Sequence, residues 1–230
     1  MFISSYLTDI ILFFLYISIP ILVIYIGYLI FTRAFSYMGF TSIEAIIIVF
    51  VSFIFDFDII ILGINISNIY LFSHGNWLVG INMGGAVIPI LLSIYLIFKK
   101  KLPLKKIIIG IIIVTIVAFL VTYPDPNKGI VAKLPFGLLP ALFASIISIA
   151  FLYKDFKKAA PFAYILGTLG VLIGADFLQL SELLSYQIDK PINAIIGGAN
   201  VFDMVYISGI VAVILDGLIL FKQRKNIGIN

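Results

Sequence analysis

The sequence predicts an all-α, polytopic membrane protein in which residues 1–230 form a single transmembrane domain of seven helices. The prediction depends on an apolar composition, on apolar stretches of membrane-spanning length, and on the placement of basic residues. Of the 230 residues, 63% are hydrophobic and 11% are charged, and the mean hydropathy is +1.22. A water-soluble domain is only about half apolar, so this composition indicates that the solvent is a lipid bilayer.

Each predicted helix corresponds to an apolar stretch long enough to cross the hydrocarbon core, which takes about 20 residues. In chain order, these stretches are 6–31, 43–65, 77–98, 107–123, 135–153, 160–180 and 192–221. Thr41 and Glu44 have capping-box spacing at the start of the second stretch. Segments rich in proline or charge, at 99–106 and 123–129, separate the third, fourth and fifth stretches.

The positions of Lys and Arg predict an amino terminus outside and a carboxyl terminus inside the cell membrane. With this orientation, only Lys128, Lys133 and Lys190 lie outside. The inner side holds twelve basic residues: Arg33, Lys99, Lys100, Lys101, Lys105, Lys106, Lys154, Lys157, Lys158, Lys222, Arg224 and Lys225. The net charge of +4 therefore reflects topology and contact with membrane lipids, and it does not indicate a nucleic-acid partner.

The composition also excludes several kinds of site. The chain has no cysteine, which excludes disulfides, thiolate metal sites and thiol catalysis. The single histidine, His74, cannot form a His-rich metal site. We expect His74 and Trp77 to anchor the chain at the membrane interface. The sequence therefore predicts neither a metal nor a cofactor, and it does not indicate an oligomeric state.

Two segments of the chain resemble each other, INMGGAVIPILLSIYLIF (81–98) and IIGGANVFDMVYISGIVAVI (195–214). Both place GGA early in a helix predicted to run inwards, and each is preceded by an Asp-Phe pair, at 56–57 and 176–177. The pattern predicts a 3+1+3 parallel repeat with halves 1–98 and 135–222 and a linker helix at 107–123. The alternative is that such short matches arise by chance in so biased a composition.

Four aspartates are predicted to lie within the membrane: Asp56, Asp58, Asp176 and Asp203. An ionised aspartate at mid-bilayer costs about 2.5–3.5 kcal/mol on insertion scales, so such a carboxylate points to a function. Three others, Asp9, Asp189 and Asp216, are expected near the interfaces, where water solvates them.

The diglycine Gly197-Gly198 is expected to interrupt the last helix, so that Asn200 caps a new half-helix with Asp203 in its first turn. The break would bring Asp203 to the depth of Asp176 in a polar pocket. Gly174, Gly197, Gly198, Asn200 and Asn82 are the predicted binding residues of this pocket. The alternative is that Gly167, Gly170 and Gly174 form a close-packing face, and that Asp176 and Asp203 only hydrogen-bond across the helices.

The segments NMGGAVIPILLSIYLI, PFAYILGTLGVLIGADFLQL and IIGGANVFDMVYISGIVAVI resemble, in this order, a prokaryotic membrane family known as domain of unknown function 1614. The resemblance covers roughly residues 75–220. It implies a membrane protein and assigns no activity.

The segment VFDMVYISG (201–209) resembles the Tyr-Asp helix of presenilin and signal-peptide-peptidase aspartyl proteases, with Phe202 in place of Tyr. GADF (174–177) is similar to their Gly-x-Gly-Asp segment, with Ala175 in place of the second glycine. The resemblance implies Asp176 and Asp203 as catalytic residues, and Pro140, Ala141 and Leu142, a Pro-Ala-Leu sequence, as substrate-binding residues. The order of the motifs differs, because in those families Tyr-Asp comes first and Pro-Ala-Leu last.

Three functions are compatible with these features. The first is an intramembrane aspartyl protease that cleaves a transmembrane peptide. The second is a small 3+1+3 transporter or channel for a cation, a proton-coupled solute or another small polar solute, with Asp56 and Asp58 adding to the site. The third is a membrane scaffold without catalytic activity.

Overall fold

A computed structural model describes residues 2–55, 57–132, 135–153, 155–198 and 204–226. These residues form eight α-helices: α1 (Phe2–Met38), α2 (Ser42–Ile54), α3 (Ile88–Lys100), α4 (Leu104–Val121), α5 (Leu139–Leu152), α6 (Phe156–Val171), α7 (Leu178–Ser185) and α8 (Met204–Asn226). A π-helical turn at Leu172–Phe177 joins α6 and α7 into one continuous helix. A second π-helical turn, Met83–Val87, begins α3.

The apolar helices identify a membrane protein. Four helical stretches are long and apolar enough to cross a bilayer: Leu12–Met38, Met83–Lys100, Leu104–Val121 and Lys157–Ser185. Three further apolar helical stretches, Ser42–Ile54, Phe136–Leu152 and Ile207–Ile219, are shorter. All seven predicted stretches therefore contain an apolar helix, while the crossing of the membrane by all seven remains a prediction.

The structure also contains short β-strands, which the all-α prediction lacked. They are β1 (Ile60–Ile61), β2 (Ile64–Asn65), β3 (Asn68–His74), β4 (Trp77–Asn82), β5 (Thr122–Asp125), β6 (Gly129–Ala132) and β7 (Ile192–Ile196). The predicted helix at 43–65 is wrong beyond Ile54, and the predicted helices at 77–98 and 192–221 each begin with a strand instead. The physical reason is the turn chemistry between β-branched runs: Leu62, Gly63 and Gly75 have positive φ, as tight hairpins require.

Strands β3, β4 and β7 form a three-stranded sheet in that order. β3 and β4 are an antiparallel hairpin, whereas β7 pairs with β4 in parallel from Trp77↔Ile192 to Ile81↔Ile196. Helix α7 covers this sheet, where Leu183 is buried together with Trp77, Val79 and Ala194. β5 and β6 form a separate hairpin, and so do β1 and β2.

Helix α6 lies at the centre of the bundle and contacts α1, α3, α4, α5 and α8. Its Phe162, Tyr164, Ile165 and Leu166 are fully buried. Its glycines allow the neighbouring helices to approach closely. Gly167 lies against the backbone of Ser208 in α8, and Gly170 lies against Val114 in α4.

The basic connections lie at one end of the bundle and the sheets at the other. Lys100, at the end of α3, lies beside Gly39 in the α1–α2 turn. Lys106, at the start of α4, donates to the carbonyl oxygen of Phe151 near the end of α5 at 2.8 Å. The predicted capping box of α2 is confirmed: Thr41 and Glu44 exchange both of its hydrogen bonds. A shared basic end is what the predicted orientation requires, and the orientation stays a prediction.

Candidate functional site

Asp176 lies in the π-helical turn between α6 and α7, at the end of the bundle that carries the sheets. Gly174 lies so close to the carbonyl oxygen of Thr115 in α4 that a Cβ atom there would overlap it. This close approach fixes the turn against α4. Asp176 is half-buried, and its Oδ2 accepts a hydrogen bond from the backbone N–H of Gly197 at 2.7 Å. The carboxylate is therefore held against the segment that follows β7.

Asp176 lines a cavity of about 330 Å³. The other walls are all five residues of β7, the turn between β5 and β6, and the side chains of Trp77, Leu180 and Leu183. Gly198 closes one end of the wall formed by β7. Among the described residues, the lining thus combines the carboxylate of Asp176 with Lys128, two asparagines, apolar side chains and strand backbone.

The wall formed by β7 is a sheet edge. β7 pairs with β4 on one side, and among the described residues no strand pairs with its other side. An unpaired strand edge presents backbone N–H and C=O groups that an extended peptide can pair with. Asp176 therefore lies beside a strand edge with space in front of it.

Lys128 is the only basic residue among the described residues that line the cavity. It is exposed in the turn between β5 and β6. The Oδ1 of Asp125 accepts hydrogen bonds from the N–H groups of Asn127 at 2.8 Å and Lys128 at 3.2 Å, which fixes this turn. Sequence reasoning did not assign Lys128 or strand β7 to the site, because the short apolar run at 192–196 suits a helix as well as a strand.

The two GGA segments contact each other because β4 and β7 run in parallel and each leads into a glycine pair. Gly85 lies directly against the carbonyl oxygen of Gly197, and Gly197 has a φ of +68°. The prediction that Gly197 and Gly198 interrupt a helix is corrected, because the extended strand β7 precedes them. A strand also precedes Gly84 and Gly85, so β4 and β7 replace the first parts of the helices expected at 77–98 and 192–221. The contact agrees with the proposed repeat, which remains a prediction.

Asn82, a predicted binding residue, does not line the cavity. Its side chain is 1% exposed and caps the turn Met83–Val87, where its Oδ1 accepts from the N–H of Gly85 at 2.7 Å. Gly174 likewise packs against α4, as the close-packing alternative predicts. Among the predicted binding residues, Gly198 lines the cavity, while Gly197 holds Asp176 through its N–H.

Asp56, Asn200 and Asp203 lie outside the described residues, so the pairing of Asp176 with Asp203 stays a prediction. The described residues on both sides of 199–203 lie near Asp176. Gly198 lines the same cavity. Val205 is buried in one cluster with Leu172 and Ala175, and Met204 packs against that cluster.

Pro140, Ala141 and Leu142 form the first turn of α5. Pro140 and Ala141 are buried, Leu142 is 39% exposed, and none of the three lines the cavity. Gly137, two residues before the start of α5, packs beside the sulfur atom of Met204. This contact places the start of α5 next to the start of α8.

Asp58 and Asp216 do not line the cavity. Asp58 accepts hydrogen bonds at Oδ1 from the side chains of Asn65 at 2.7 Å and Asn68 at 3.1 Å. The expectation that Asp216 is solvated near an interface is wrong, because Asp216 is only 1% exposed. The reason is that Asp216 continues the buried face of α8 that carries Ala212 and Val213, four and three residues earlier. In the described part of the chain, no three His, Asp or Glu side chains group as metal ligands.

A model of the family described as "Protein of unknown function (DUF1614)" matches residues 54–215. No curated protein and no solved structure matches the chain. The matched range includes the cavity, both glycine pairs, and Asp176 and Asp203.

Proposed function

The chain belongs to this DUF1614 family, and from the surroundings of Asp176 we propose that it is an intramembrane aspartyl endopeptidase with Asp176 and Asp203 as its catalytic pair. The observation that carries the proposal is that Asp176 lines a cavity whose neighbouring wall is the edge of β7 with which no described strand pairs. The substrate is a transmembrane peptide, and the enzyme acts in the cell membrane with its sheet end outwards.

A strand edge supports proteolysis because a transmembrane helix resists hydrolysis. In a helix, each carbonyl oxygen accepts a hydrogen bond from the N–H four residues later and the side chains cover the backbone. A peptide that pairs with β7 becomes extended, and its alternate carbonyl groups face away from the strand. β7 is five residues long, which is enough to hold a short extended segment on both sides of a scissile bond.

The chemistry requires two carboxyl groups that share one proton. Two carboxylates about 3 Å apart do not both ionise, so one is ionised and the other is protonated, and their titration belongs to the pair. The ionised carboxylate removes a proton from a water molecule as the oxygen of that water bonds to the peptide carbonyl carbon. The protonated one donates its proton to the departing amine as the C–N bond breaks. The net reaction adds one water and restores the shared proton.

The positions of the segments next to Asp203 support the pair. Met204 and Val205 pack against the turn that carries Asp176, and Gly198 lines its cavity. The start of α5, which carries Pro140, adjoins Met204 through Gly137. Segments on both sides of Asp203 thus lie beside the turn that carries Asp176, as a shared catalytic centre requires.

The test is cleavage of transmembrane peptides by the purified protein in lipid nanodiscs. We expect Asp176→Asn and Asp203→Asn each to reduce cleavage by at least 10³-fold, the usual scale for loss of an essential acid or base. Asp189→Asn is the matched control, because Asp189 is exposed in the loop before β7 and does not line the cavity. Cleavage that persists in either catalytic variant contradicts the proposal.

A small transporter is the second candidate, and the contact between the two GGA segments favours it. Two units of strand, glycine pair and helix lie side by side, β4 with α3 and β7 with α8. Transporters built from repeats likewise bring corresponding segments of their two halves together at one site. Wild-type protein that cleaves no transmembrane peptide but carries cations into liposomes, with the flux lost in Asp176→Asn, would favour transport over proteolysis.

A further inference from the structure

Asn82 uses its whole side chain to fix the point where β4 becomes helix. Its Oδ1 accepts from the N–H of Gly85 at 2.7 Å. Its Nδ2 donates to Oδ1 of Asn68 at 2.8 Å and to the carbonyl oxygen of Phe55 at 3.3 Å. Because the side chain is 1% exposed, each of these bonds is shielded from competing water. The N-terminal turn at Met83–Val87 is thereby tied to β3 and to the end of α2.

This turn is the surface on which Gly197 lies. The β4–β7 ladder ends at Ile81↔Ile196, one residue before Asn82 and Gly197. Beyond that point the carbonyl oxygen of Gly197 packs directly on Gly85. The N–H of Gly197 donates to Oδ2 of Asp176 at 2.7 Å. A continuous series of contacts therefore runs from Asn82 through Gly85 and Gly197 to the carboxylate.

We propose that Asn82 is a positioning residue for Asp176: by capping the turn at Gly85, it sets the position of Gly197 and so of the N–H that holds the carboxylate. The role for catalysis rests on the proposed proteolysis, whereas the control of Gly197 does not. Asn82 touches neither the cavity nor Asp176, so its effect passes through the two glycines.

Asparagine is the side chain that this position requires. It supplies one acceptor to Gly85 and two donors to Asn68 and Phe55. Serine retains an acceptor for an N-cap but lacks the amide donors, and alanine lacks both. Asn82→Ser should therefore retain part of the effect that Asn82→Ala removes.

The first measurement is amide hydrogen exchange by mass spectrometry, which requires no substrate. In Asn82→Ala we expect exchange across 193–198 to rise about fivefold, the usual effect of losing an N-cap on local opening. Asn82→Ser should lie between alanine and wild type. Asn76→Ala is the matched control, since Asn76 donates to the carbonyl oxygen of Ile188 at the other end of β4. That control should raise exchange near 186–190 and leave 195–198 unchanged.

Unchanged exchange at 193–198 in Asn82→Ala overturns the proposal, and so does a uniform rise through α6 and β3, which would reveal a general loss of stability. If Asn82→Ala does not fold, Asn82→Ser and Asn68→Ala provide the same comparison. For the cleavage reaction, we expect kcat per folded molecule to fall about tenfold in Asn82→Ala, with KM within twofold of wild type. If Asn82→Ala has a normal kcat although its amide hydrogen exchange at 193–198 is faster, Asn82 does not position Asp176 for catalysis. Absence of all cleavage in wild type refutes the proteolysis instead and leaves the exchange result to decide.

Discussion

Replacement of Gly197 by alanine tests the contact between the two glycine pairs. Gly197 has a φ of +68°, and a residue with a side chain pays about 1–2 kcal/mol to adopt this conformation. A Cβ atom there would also lie 2.7 Å from both the N and the Cβ of Ala86. Ordinary carbon contacts are about 3.5–4.0 Å, so the two segments would have to separate by about 0.8 Å or more.

The expected total loss of stability in Gly197→Ala is about 2–5 kcal/mol, since forcing a methyl group into a packed contact adds about 1–3 kcal/mol to the conformational cost. Gly75→Ala separates the conformational cost of a positive φ from the steric cost of the added methyl group. Gly75 also has a positive φ, +57°, but a Cβ atom there would meet nothing within 4 Å. We therefore expect Gly75→Ala to lose only about 1–2 kcal/mol.

The assay is unfolding in a denaturing detergent, followed by fluorescence of Trp77. Trp77 is the sole tryptophan in the sequence, is 2% exposed and lies in β4. Its signal therefore reports directly on the sheet that joins β4 and β7. Equal losses in Gly197→Ala and Gly75→Ala would refute the close contact, because the conformational cost alone would then explain both.

Three further predictions concern local contacts. Gln179→Leu should lower the free energy of unfolding by about 1–3 kcal/mol in the same assay, because the carbonyl oxygens of Phe119 and Thr122 lose their side-chain donor. Gln187→Leu, at an exposed position, should be neutral, and an equal loss in both variants would contradict the role of these hydrogen bonds. Thr41→Ala should cost about 1 kcal/mol by removing the cap of α2, and Thr41→Ser should restore most of it; no restoration would show that the hydroxyl is not the cause. The chain has no cysteine, and Leu78 and Asn193 are register partners, so cysteines placed at these two positions should cross-link with a short thiol reagent. Cysteines at positions 78 and 194 should not cross-link, and the reverse result on a gel would refute the parallel register.

The parts of the fold that could be predicted from the sequence are those fixed by near neighbours. The capping box of Thr41 and Glu44 depends on residues three apart and was found where expected. The apolar helices follow from composition over about 20 residues. Strand β7 could not be predicted in this way, because a short run such as Ile192–Ile196 suits either helix or strand. Its partner β4 lies more than 100 residues earlier in the chain.

The same distinction applies to the site. Asp176 was identified because a carboxylate in an apolar helix is costly and therefore informative. Its hydrogen bond to Gly197 and the cavity beside it depend on the sheet, which the sequence did not predict. Asn82 was selected as polar and near a glycine pair, but only the structure reveals that its amide is consumed by Gly85, Asn68 and Phe55.

The edge of β7 with which no described strand pairs is expected to be hydrated. Backbone groups of a strand edge that face lipid remain without hydrogen bonds, and each such group costs several kcal/mol. A cavity of about 330 Å³ has room for several water molecules. Water in this space would satisfy the edge and Asp176 together, and it would supply the reactant of a hydrolysis. An extended peptide would replace that water with hydrogen bonds of the same kind. The backbone N–H and C=O groups that make the edge of β7 costly in lipid are therefore the same groups that favour binding of a substrate there.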